Sequence, residues 1–303
     1  IPNVLLNARC TQNGVTVAGG NGEGNATNQL SCPYGLSVDD DQTIVISDRT
    51  NCRIVQWNAG STNGQVVAGG HGRGHRLFQL NSPTDVIIDK ETNSLIICDQ
   101  GNRRVVQWSR HNGTTQREIL IEDIDCLGLV MDDQRYLYIS DEEKHNVTRY
   151  QKGNKDGTIV AGGYGRGDAL NQLNYPHYVF VDRQQAVFVS DYGNHRVMRW
   201  DKGATSGIVV AGGQGKGNAL TQLSYPEELF VDTWGTIYVA DAGNHRVMRW
   251  HKEATHGTVI VGGNGCGEAA NQLNNPIGLS FDQHGNLYVA DQLNQRVQQF
   301  SIK

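Results

Sequence analysis

The chain has 303 residues, of which 38% are hydrophobic and 19% charged, with 37 glycines and a formal net charge of −5. No run of about 18 apolar residues occurs, which excludes a hydrophobic membrane span. The acidic balance argues against nucleic acid as a partner, because phosphate contacts need a basic surface. Because the sequence begins at Ile1 rather than methionine, we interpret it as a processed chain.

A repeat of fifty residues organises the sequence. Residues 191–200 read DYGNHRVMRW, and residues 241–250 read DAGNHRVMRW. The same spacing separates the Val-Ala-Gly-Gly segments at 160–163 and 210–213. Self-similarity at a period of this size is typical of solenoids, propellers and other tandem arrays.

Within one unit, short β-branched and aromatic runs alternate with turn residues, which predicts four strands. In the first unit these strands are 35–39, 43–47, 54–57 and 64–68, and a glycine-rich crossover leads to the next unit. Four antiparallel strands per repeat are typical of a β-propeller blade. The sequence therefore predicts an all-β, six-bladed propeller that forms one domain, with blades at 33–70, 83–122, 126–163, 176–213, 226–263 and 276–303. Blade 6 lacks a fourth strand, and we expect residues 14–20 to supply it and so close the ring.

The repeated pattern resembles the NHL repeat. Pro-x-Gly-apolar-x-apolar-Asp is followed by Asp-x-x-Asn-x-Arg-Val and an aromatic residue, and five of the six copies carry the Asp-x-x-Asn-x-Arg core. The resemblance implies a six-bladed propeller. It does not select a function, since the family includes RNA-binding and protein-binding propellers, bacterial sensor domains and the related amidating lyase.

Blade 3 departs from the pattern. Lys144 and Asn146 occupy its Asn and Arg positions, and Cys126 stands where the other blades have proline. The crossover that precedes this blade is far shorter than the others, which predicts a notch in the rim. The notch is either an adapted entrance or drift of the repeat.

Two repeated motifs have a structural interpretation. The six aspartates that end the second strands are expected to accept backbone N–H bonds in the following turn, with the arginine five residues later as a partner. The Ala-Gly-Gly-x-Gly-x-Gly crossovers resemble phosphate-binding loops. They are not followed by a Lys-Ser/Thr pair or by a helix, so the glycines are interpreted as turn residues with positive φ.

The start of each first strand carries the candidate site. Two positions after the proline (or Cys126), three blades have glycine, whereas the others have large polar residues. First-strand starts converge on the mouth of the central channel, so convergent polar groups there predict a ligand-binding funnel. Its predicted members are Asp85, His177, Tyr178, Glu227 and Glu228. These carboxylates and the imidazole are also candidate ligands for a divalent metal, and a hydrated mouth without a ligand is the alternative.

The cysteines predict two disulfides. Cys32 and Cys52 occupy positions that hold a tyrosine and a histidine in blades 4 and 5, which predicts a bridge within blade 1. Cys98 ends a second strand and Cys126 begins the next blade, so these two are also candidates for pairing. The remaining residues, Cys10 and Cys266, are expected to be free or intermolecular.

The predicted location is extracellular, because six cysteines accompany three glycosylation sequons, at Asn25, Asn112 and Asn146, which we place in or beside loops. The leading functional hypothesis is a secreted recognition module that binds a small ligand, glycan or protein at the channel mouth. A metal-assisted lyase or hydrolase that uses the same mouth is the second hypothesis. A self-associating structural protein is the third.

Overall fold

Each fifty-residue unit folds into one four-stranded antiparallel sheet. The computed structural model describes residues 10–110 and 117–302, in which six such sheets form the blades of a β-propeller. The predicted six-bladed, all-β fold is therefore confirmed. Within the described ranges no helix is long and apolar enough to cross a membrane.

The first two strands of each blade form its inner half. First strands of neighbouring blades contact one another around the whole ring and surround the central channel. The first strands are β2 (Pro33–Val38), β6 (Pro83–Asp89), β10 (Cys126–Met131), β14 (Pro176–Val181), β18 (Pro226–Val231) and β22 (Pro276–Phe281). The second strands are β3 (Ile44–Asp48), β7 (Ser94–Asp99), β11 (Tyr136–Asp141), β15 (Val187–Asp191), β19 (Ile237–Asp241) and β23 (Leu287–Asp291).

The third and fourth strands form the outer half of each blade. The third strands are β4 (Arg53–Trp57), β8 (Arg104–Ser109), β12 (Asn146–Gln151), β16 (Arg196–Trp200), β20 (Arg246–Trp250) and β24 (Arg296–Phe300). The fourth strands are β1 (Val15–Gly19), β5 (Gln65–Gly69), β9 (Arg117–Glu122), β13 (Gly157–Gly162), β17 (Ile208–Gly212) and β21 (Thr258–Gly262). Strand β1 pairs antiparallel with β24, so the predicted closure of blade 6 by the N-terminal strand is confirmed.

The hydrophobic core lies between neighbouring blades. One cluster joins Tyr138 and Val147 of blade 3 to Val179, Met198 and Trp200 of blade 4, and comparable clusters fill the other interfaces. The aromatic residue that ends the third strand is almost fully buried in most blades, because it packs against the preceding blade. A large aromatic at each interface contributes much of the buried apolar area.

A repeated polar network fixes each crossover to the blade that follows it. In blade 4, Asp191 accepts hydrogen bonds from the backbone N–H of Asn174 and from the side chains of Asn194 and Arg196. The Arg196 guanidinium also donates to the backbone carbonyls of Asp168, Ala169 and Gln172 in the crossover. Blades 1, 2, 5 and 6 repeat this arrangement, so the aspartate and arginine are structural, as the sequence predicts.

Blade 3 shows what the arginine is for. The crossover before this blade contains only a few residues between β9 and β10, and it offers no glycine-rich loop for a guanidinium to hold. Asn146 occupies the arginine position, and the Lys144 ammonium instead donates to the backbone carbonyl of Asp123. The arginine is therefore absent in the blade whose preceding crossover has no loop for it to bind.

One of the two predicted disulfides is present. Cys98 and Cys126 are bonded, with their Cα atoms 5.5 Å apart, and they join blade 2 to blade 3 beside the short crossover. The predicted Cys32–Cys52 bridge is wrong, since both thiols are free. Cys10 and Cys266 are also unpaired, as free thiols within the described chain.

The tyrosine and histidine positions explain this error. The two positions meet between neighbouring blades rather than within one blade: Tyr175 packs on His145, and Tyr225 packs on His195. Cys32 accordingly faces blade 6, where its backbone N–H donates to the Gln295 side chain.

The sequons fall in different environments. Asn25 is exposed in a glycine-rich crossover, and Asn112 lies outside the described residues. Asn146 lies beside the turn at 142–145, as expected, but it is the first residue of the interior strand β12 and only 6% exposed, so it is unsuited to carry a glycan in the folded chain.

Ring closure predicts a strong effect of truncation. Deletion of residues 1–20 removes β1 and leaves β24 as an unpaired edge, so we expect loss of soluble monomer or aggregation, measured by size-exclusion chromatography and thermal unfolding. A circular permutant in which β1 follows β24 through a copy of loop 201–207 should restore the monomer. A truncated chain that melts like the full one would show that β1 is dispensable.

Candidate functional site

A bulge at the start of each first strand creates the candidate site. The pairing of first and second strands shifts register between the proline (or Cys126) and the residue three positions later. The two residues between them are released from the regular ladder, and bulges of this kind redirect side chains. This places two successive side chains of every blade at the channel mouth.

The first of these positions forms a plug rather than a funnel. We call the six residues directly after the proline or Cys126 the inner ring, and all of them are buried: Tyr34, Thr84, Leu127, His177, Glu227 and Ile277. Tyr34, Leu127 and Ile277 pack together with Tyr178 and Ala242 in one apolar cluster. The predicted residues His177, Tyr178 and Glu227 thus lie at the mouth, but the open polar funnel is wrong, because packed side chains close it.

Asp85 and Glu228 lie at the second position and connect neighbouring blades. The Asp85 carboxylate accepts hydrogen bonds from the backbone N–H groups of Val86 (2.8 Å) and of Leu129 in blade 3 (2.9 Å). The Glu228 carboxylate accepts one from Leu279 in blade 6 (2.7 Å). Each carboxylate therefore links its own blade to the next blade in the ring.

The glycines at the second position make room for these groups. A Cβ atom on Gly35 would lie 2.3 Å from an Asp85 carboxylate oxygen, and one on Gly278 would lie 2.4 Å from the Tyr34 carbonyl oxygen. Glycine is therefore required at these positions because atoms of the neighbouring blades lie too close for a Cβ atom. Its presence in three blades does not by itself mark the polar residues of the other three as functional.

The two carboxylates come from blades 2 and 5, which are opposite in the ring. Burial raises the pKa of Asp85 to about 7, against the two backbone N–H bonds that lower it. Burial raises the pKa of Glu228 well above its ordinary value, and the Asp85 charge raises it further. The Tyr178 hydroxyl is buried beside them, and no residue of the described ranges forms a hydrogen bond with it.

His177 is the centre of a buried ionic cluster. Its Nδ1 lies 2.8 Å from Oε2 of Glu227, its Nε2 lies 3.8 Å from Oε1 of Glu142, and its ring stacks on Tyr192 with centroids 3.8 Å apart. Burial disfavours the imidazolium, but the Glu227 and Glu142 carboxylates outweigh it and raise the pKa of His177 to about 9. The imidazole is therefore charged at neutral pH and shared by two carboxylates.

An outer ring of side chains surrounds the mouth, and the repeat pattern did not predict it. This ring is formed by the residue after each second-strand aspartate: Arg49, Gln100, Glu142, Tyr192, Ala242 and Gln292. Several of its members contact the inner ring or each other; for example, the Arg49 guanidinium covers the Tyr34 ring and donates to Gln100. The available signal was that this position differs in nearly every copy of an otherwise uniform motif.

Blades 3, 4 and 5 present aromatic side chains beside this ring. We call Tyr175, Tyr192 and Tyr225 the tyrosine row. Tyr192 packs on Tyr225 with centroids 4.8 Å apart, and the outer two tyrosines pack edge-on against His145 and His195. Each outer tyrosine also carries a cation from the adjacent crossover.

The cations are held close to the rings. The Arg166 guanidinium lies 4.6 Å from the Tyr175 centroid, and the Lys216 ammonium lies 4.2 Å from the Tyr225 centroid. Both basic side chains are exposed, whereas the tyrosines are partly buried. The result is a shallow surface of aromatic faces and fixed charges over the closed channel.

A divalent metal does not fit the predicted residues. Asp85 and Glu228 are engaged with backbone N–H groups, and His177 is engaged with Glu227. In residues 10–110 and 117–302, no group of three or more His, Cys, Asp and Glu side chains is arranged to hold a metal ion.

Comparison with known proteins supports the architecture. A family model of the NHL repeat matches residues 273–300, which contain β22, β23 and β24. This match and the six blades confirm the NHL-repeat resemblance. A search of curated protein sequences returned no significant match.

Several solved structures share the fold. An auxiliary nutrient binding protein from Bacteroides thetaiotaomicron is 16% identical with a TM-score of 0.73, over 95% of this chain and 76% of the other. Virginiamycin B lyase from Staphylococcus aureus with quinupristin is 13% identical with a TM-score of 0.60, over 92% and 98%. A chain of the nidogen–laminin complex is 18% identical with a TM-score of 0.58, over 76% and 79%. At these identities the similarity establishes the fold alone.

The raised pKa of Glu228 predicts a stabilising substitution. An acid whose pKa is higher in the folded state loses stability as pH rises above its unfolded pKa of about 4.3. Glu228→Gln keeps an acceptor for Leu279 and removes this loss, so the melting temperature should exceed that of the wild type by a few degrees at pH 8 and match it near pH 4.5. Equal pH profiles for the two proteins would contradict the assignment.

The His177 cluster predicts strong coupling. His177→Gln leaves Glu227 buried beside an uncharged partner, which should cost roughly 3–5 kcal/mol of unfolding free energy, and His177→Gln with Glu227→Gln should recover most of it. Because the folded pKa of His177 is raised, its contribution should be complete below pH 6.5 and be lost as pH rises through about 9. Additive single effects in denaturant unfolding would rule out the buried pair.

Proposed function

We propose that the protein is an extracellular recognition module that binds a protein partner through its mouth face. The tyrosine row is the structural feature that most strongly supports a protein partner. Tyrosine and arginine are enriched at interfaces, where rigid aromatic faces supply contact area at low entropic cost. Here three tyrosines, two histidines and two basic groups occupy neighbouring blades on one face.

The closed channel favours a macromolecular partner over a small molecule. Small-molecule sites are concave and bury most of the ligand, whereas the inner ring fills the mouth with packed side chains. A shallow surface of this kind suits a partner that lies across several blades. Solved structures with the same fold include an auxiliary nutrient binding protein and a chain of the nidogen–laminin complex, which supports recognition as a use of the scaffold.

An extracellular location is supported by the buried Cys98–Cys126 bond, since disulfides persist in oxidising compartments. The exposed sequon at Asn25 is compatible with the same location. The metal-assisted lyase or hydrolase hypothesis is less well supported, because Asp85, His177 and Glu228 are already engaged with groups of the protein.

Substitution of the outer tyrosines tests the proposal. Blade 6 has Asn275 in the same position, where its backbone N–H still donates to His245 and its φ is +57°, close to the +53° and +54° of the tyrosines. Asparagine tolerates this left-handed conformation, so Tyr175→Asn with Tyr225→Asn should leave the melting temperature unchanged or slightly raised. Partner affinity should fall by at least about tenfold, because two interface anchors are lost.

The measurement is affinity capture from extracellular fluid, with mass spectrometry of bound proteins and binding titration of the partner found. Asn275→Gly, which also suits the left-handed conformation, is the matched control outside the tyrosine row and should bind normally. Equal capture by the wild type and the double variant would place the binding surface elsewhere. Capture of a second copy of the chain would instead support the self-association hypothesis.

A further inference from the structure

Trp234 departs from the role of every other tryptophan. The other four end third strands and are at most 6% exposed, whereas Trp234 lies in the turn between β18 and β19 and is 59% exposed. The corresponding turn positions hold polar residues, such as Asp41, Gln134 and Gln184. An exposed indole leaves a large apolar face in water, which is unfavourable unless something covers it.

Trp234 lines a groove between blades 4 and 5, on the face opposite the channel mouth. The groove has a volume of about 610 Å³, which is within the range of ligand sites. Phe188, Ile208 and Ile237 supply apolar walls, and Arg199 and His251 supply polar ones. Asp182, Lys252 and Glu253 complete the rim with charges of both signs.

Two polar side chains that line the groove offer hydrogen-bonding groups: Arg199 and His251. The Arg199 side chain is 30% exposed, and an ion pair between its Nη2 and Asp201 fixes its position. A guanidinium only donates hydrogen bonds, whereas a neutral imidazole has one donor and one acceptor nitrogen. A ligand in the groove therefore needs an acceptor for Arg199, and His251 can pair with either a donor or an acceptor.

These requirements select the ligand chemistry. A hydrocarbon would make no hydrogen bond with Arg199 or His251, and a carboxylate would lie close to Asp182 and Glu253. A hydroxyl group both donates and accepts, so a polyol can bond to Arg199 and His251 without adding charge. The exposed indole additionally favours a flat C–H face, which β-linked pyranosides present. We propose that the groove between blades 4 and 5 is a saccharide-binding site, with Trp234 as the stacking platform and Arg199 and His251 as hydrogen-bonding groups.

The neighbouring interface provides an internal control. A groove of about 540 Å³ between blades 3 and 4 has Arg149 in the position of Arg199, but its turn contributes Gln185 rather than an aromatic residue. The exposed aromatic residue of that groove is Tyr164, which comes from the crossover and not from the turn, so the groove has no indole at the Trp234 position. It therefore serves as the comparison for the contribution of Trp234.

Tryptophan fluorescence tests the site directly, because Trp234 is the only tryptophan of the five that acrylamide can reach readily. Cellobiose, lactose and chitobiose are the probes. At least one should protect Trp234 from quenching and give a saturable heat in titration calorimetry. Trp234→Gln and Arg199→Gln should each weaken that heat by about tenfold or more, while melting temperatures stay close to that of the wild type.

The controls separate this site from the mouth face. Arg149→Gln and the Tyr175→Asn, Tyr225→Asn double variant should bind the saccharide as the wild type does. The proposal is overturned if none of the three saccharides protects Trp234, if Trp234→Gln binds with unchanged affinity, or if the mouth-face variant alone loses binding. None of these outcomes bears on the protein partner proposed for the mouth.

Discussion

The fold depends on an ion pair that five of the six blades contain, between the aspartate that ends the second strand and the arginine that starts the third. The pair is buried, and its arginine also binds three backbone carbonyls of the preceding crossover, as Arg246 does with Asn218, Ala219 and Gln222. An isolated buried ion pair contributes little net stability, but here it satisfies carbonyls that a glycine-rich loop cannot satisfy itself. The pair therefore orders the long connections between blades. Where the connection is short, as before blade 3, the arginine is absent.

The architecture could be predicted from the sequence because its determinants are periodic. Strand alternation, the repeated aspartate and the missing fourth strand of blade 6 each predict the same ring. A fold can be predicted from its sequence when independent signals of this kind agree. The mouth residues could be located for the same reason, since the repeat fixes where Asp85, His177 and Glu228 stand along the strand.

Their environment could not be predicted in this way. Asp85 bonds to blade 3 and Glu228 to blade 6, so the role of each depends on the neighbouring blade rather than on its own repeat. The Cys32–Cys52 prediction failed on the same point, because the positions compared within one blade meet across an interface. Trp234 was overlooked because a single residue outside the repeated pattern has no periodic signal. A repeat therefore predicts where a residue lies along its strand, but it does not predict which residue of the neighbouring blade that residue contacts.

A repeated contact marks the junction between the third and fourth strands of a blade. Each regular unit begins with a glycine that packs on the aromatic residue ending the unit before it: Gly64 on Trp57, Gly207 on Trp200 and Gly257 on Trp250. Gly14 makes the same contact with Phe300, and its N–H donates to Ala270 as that of Gly257 donates to Leu220. Counted from glycine to aromatic, the described chain contains five units of the same kind, at 14–57, 64–108, 157–200, 207–250 and 257–300. In this count β1 is the first strand of the unit at 14–57. The fourth strand of blade 6 therefore precedes blade 1 along the chain just as β5, the fourth strand of blade 1, precedes blade 2.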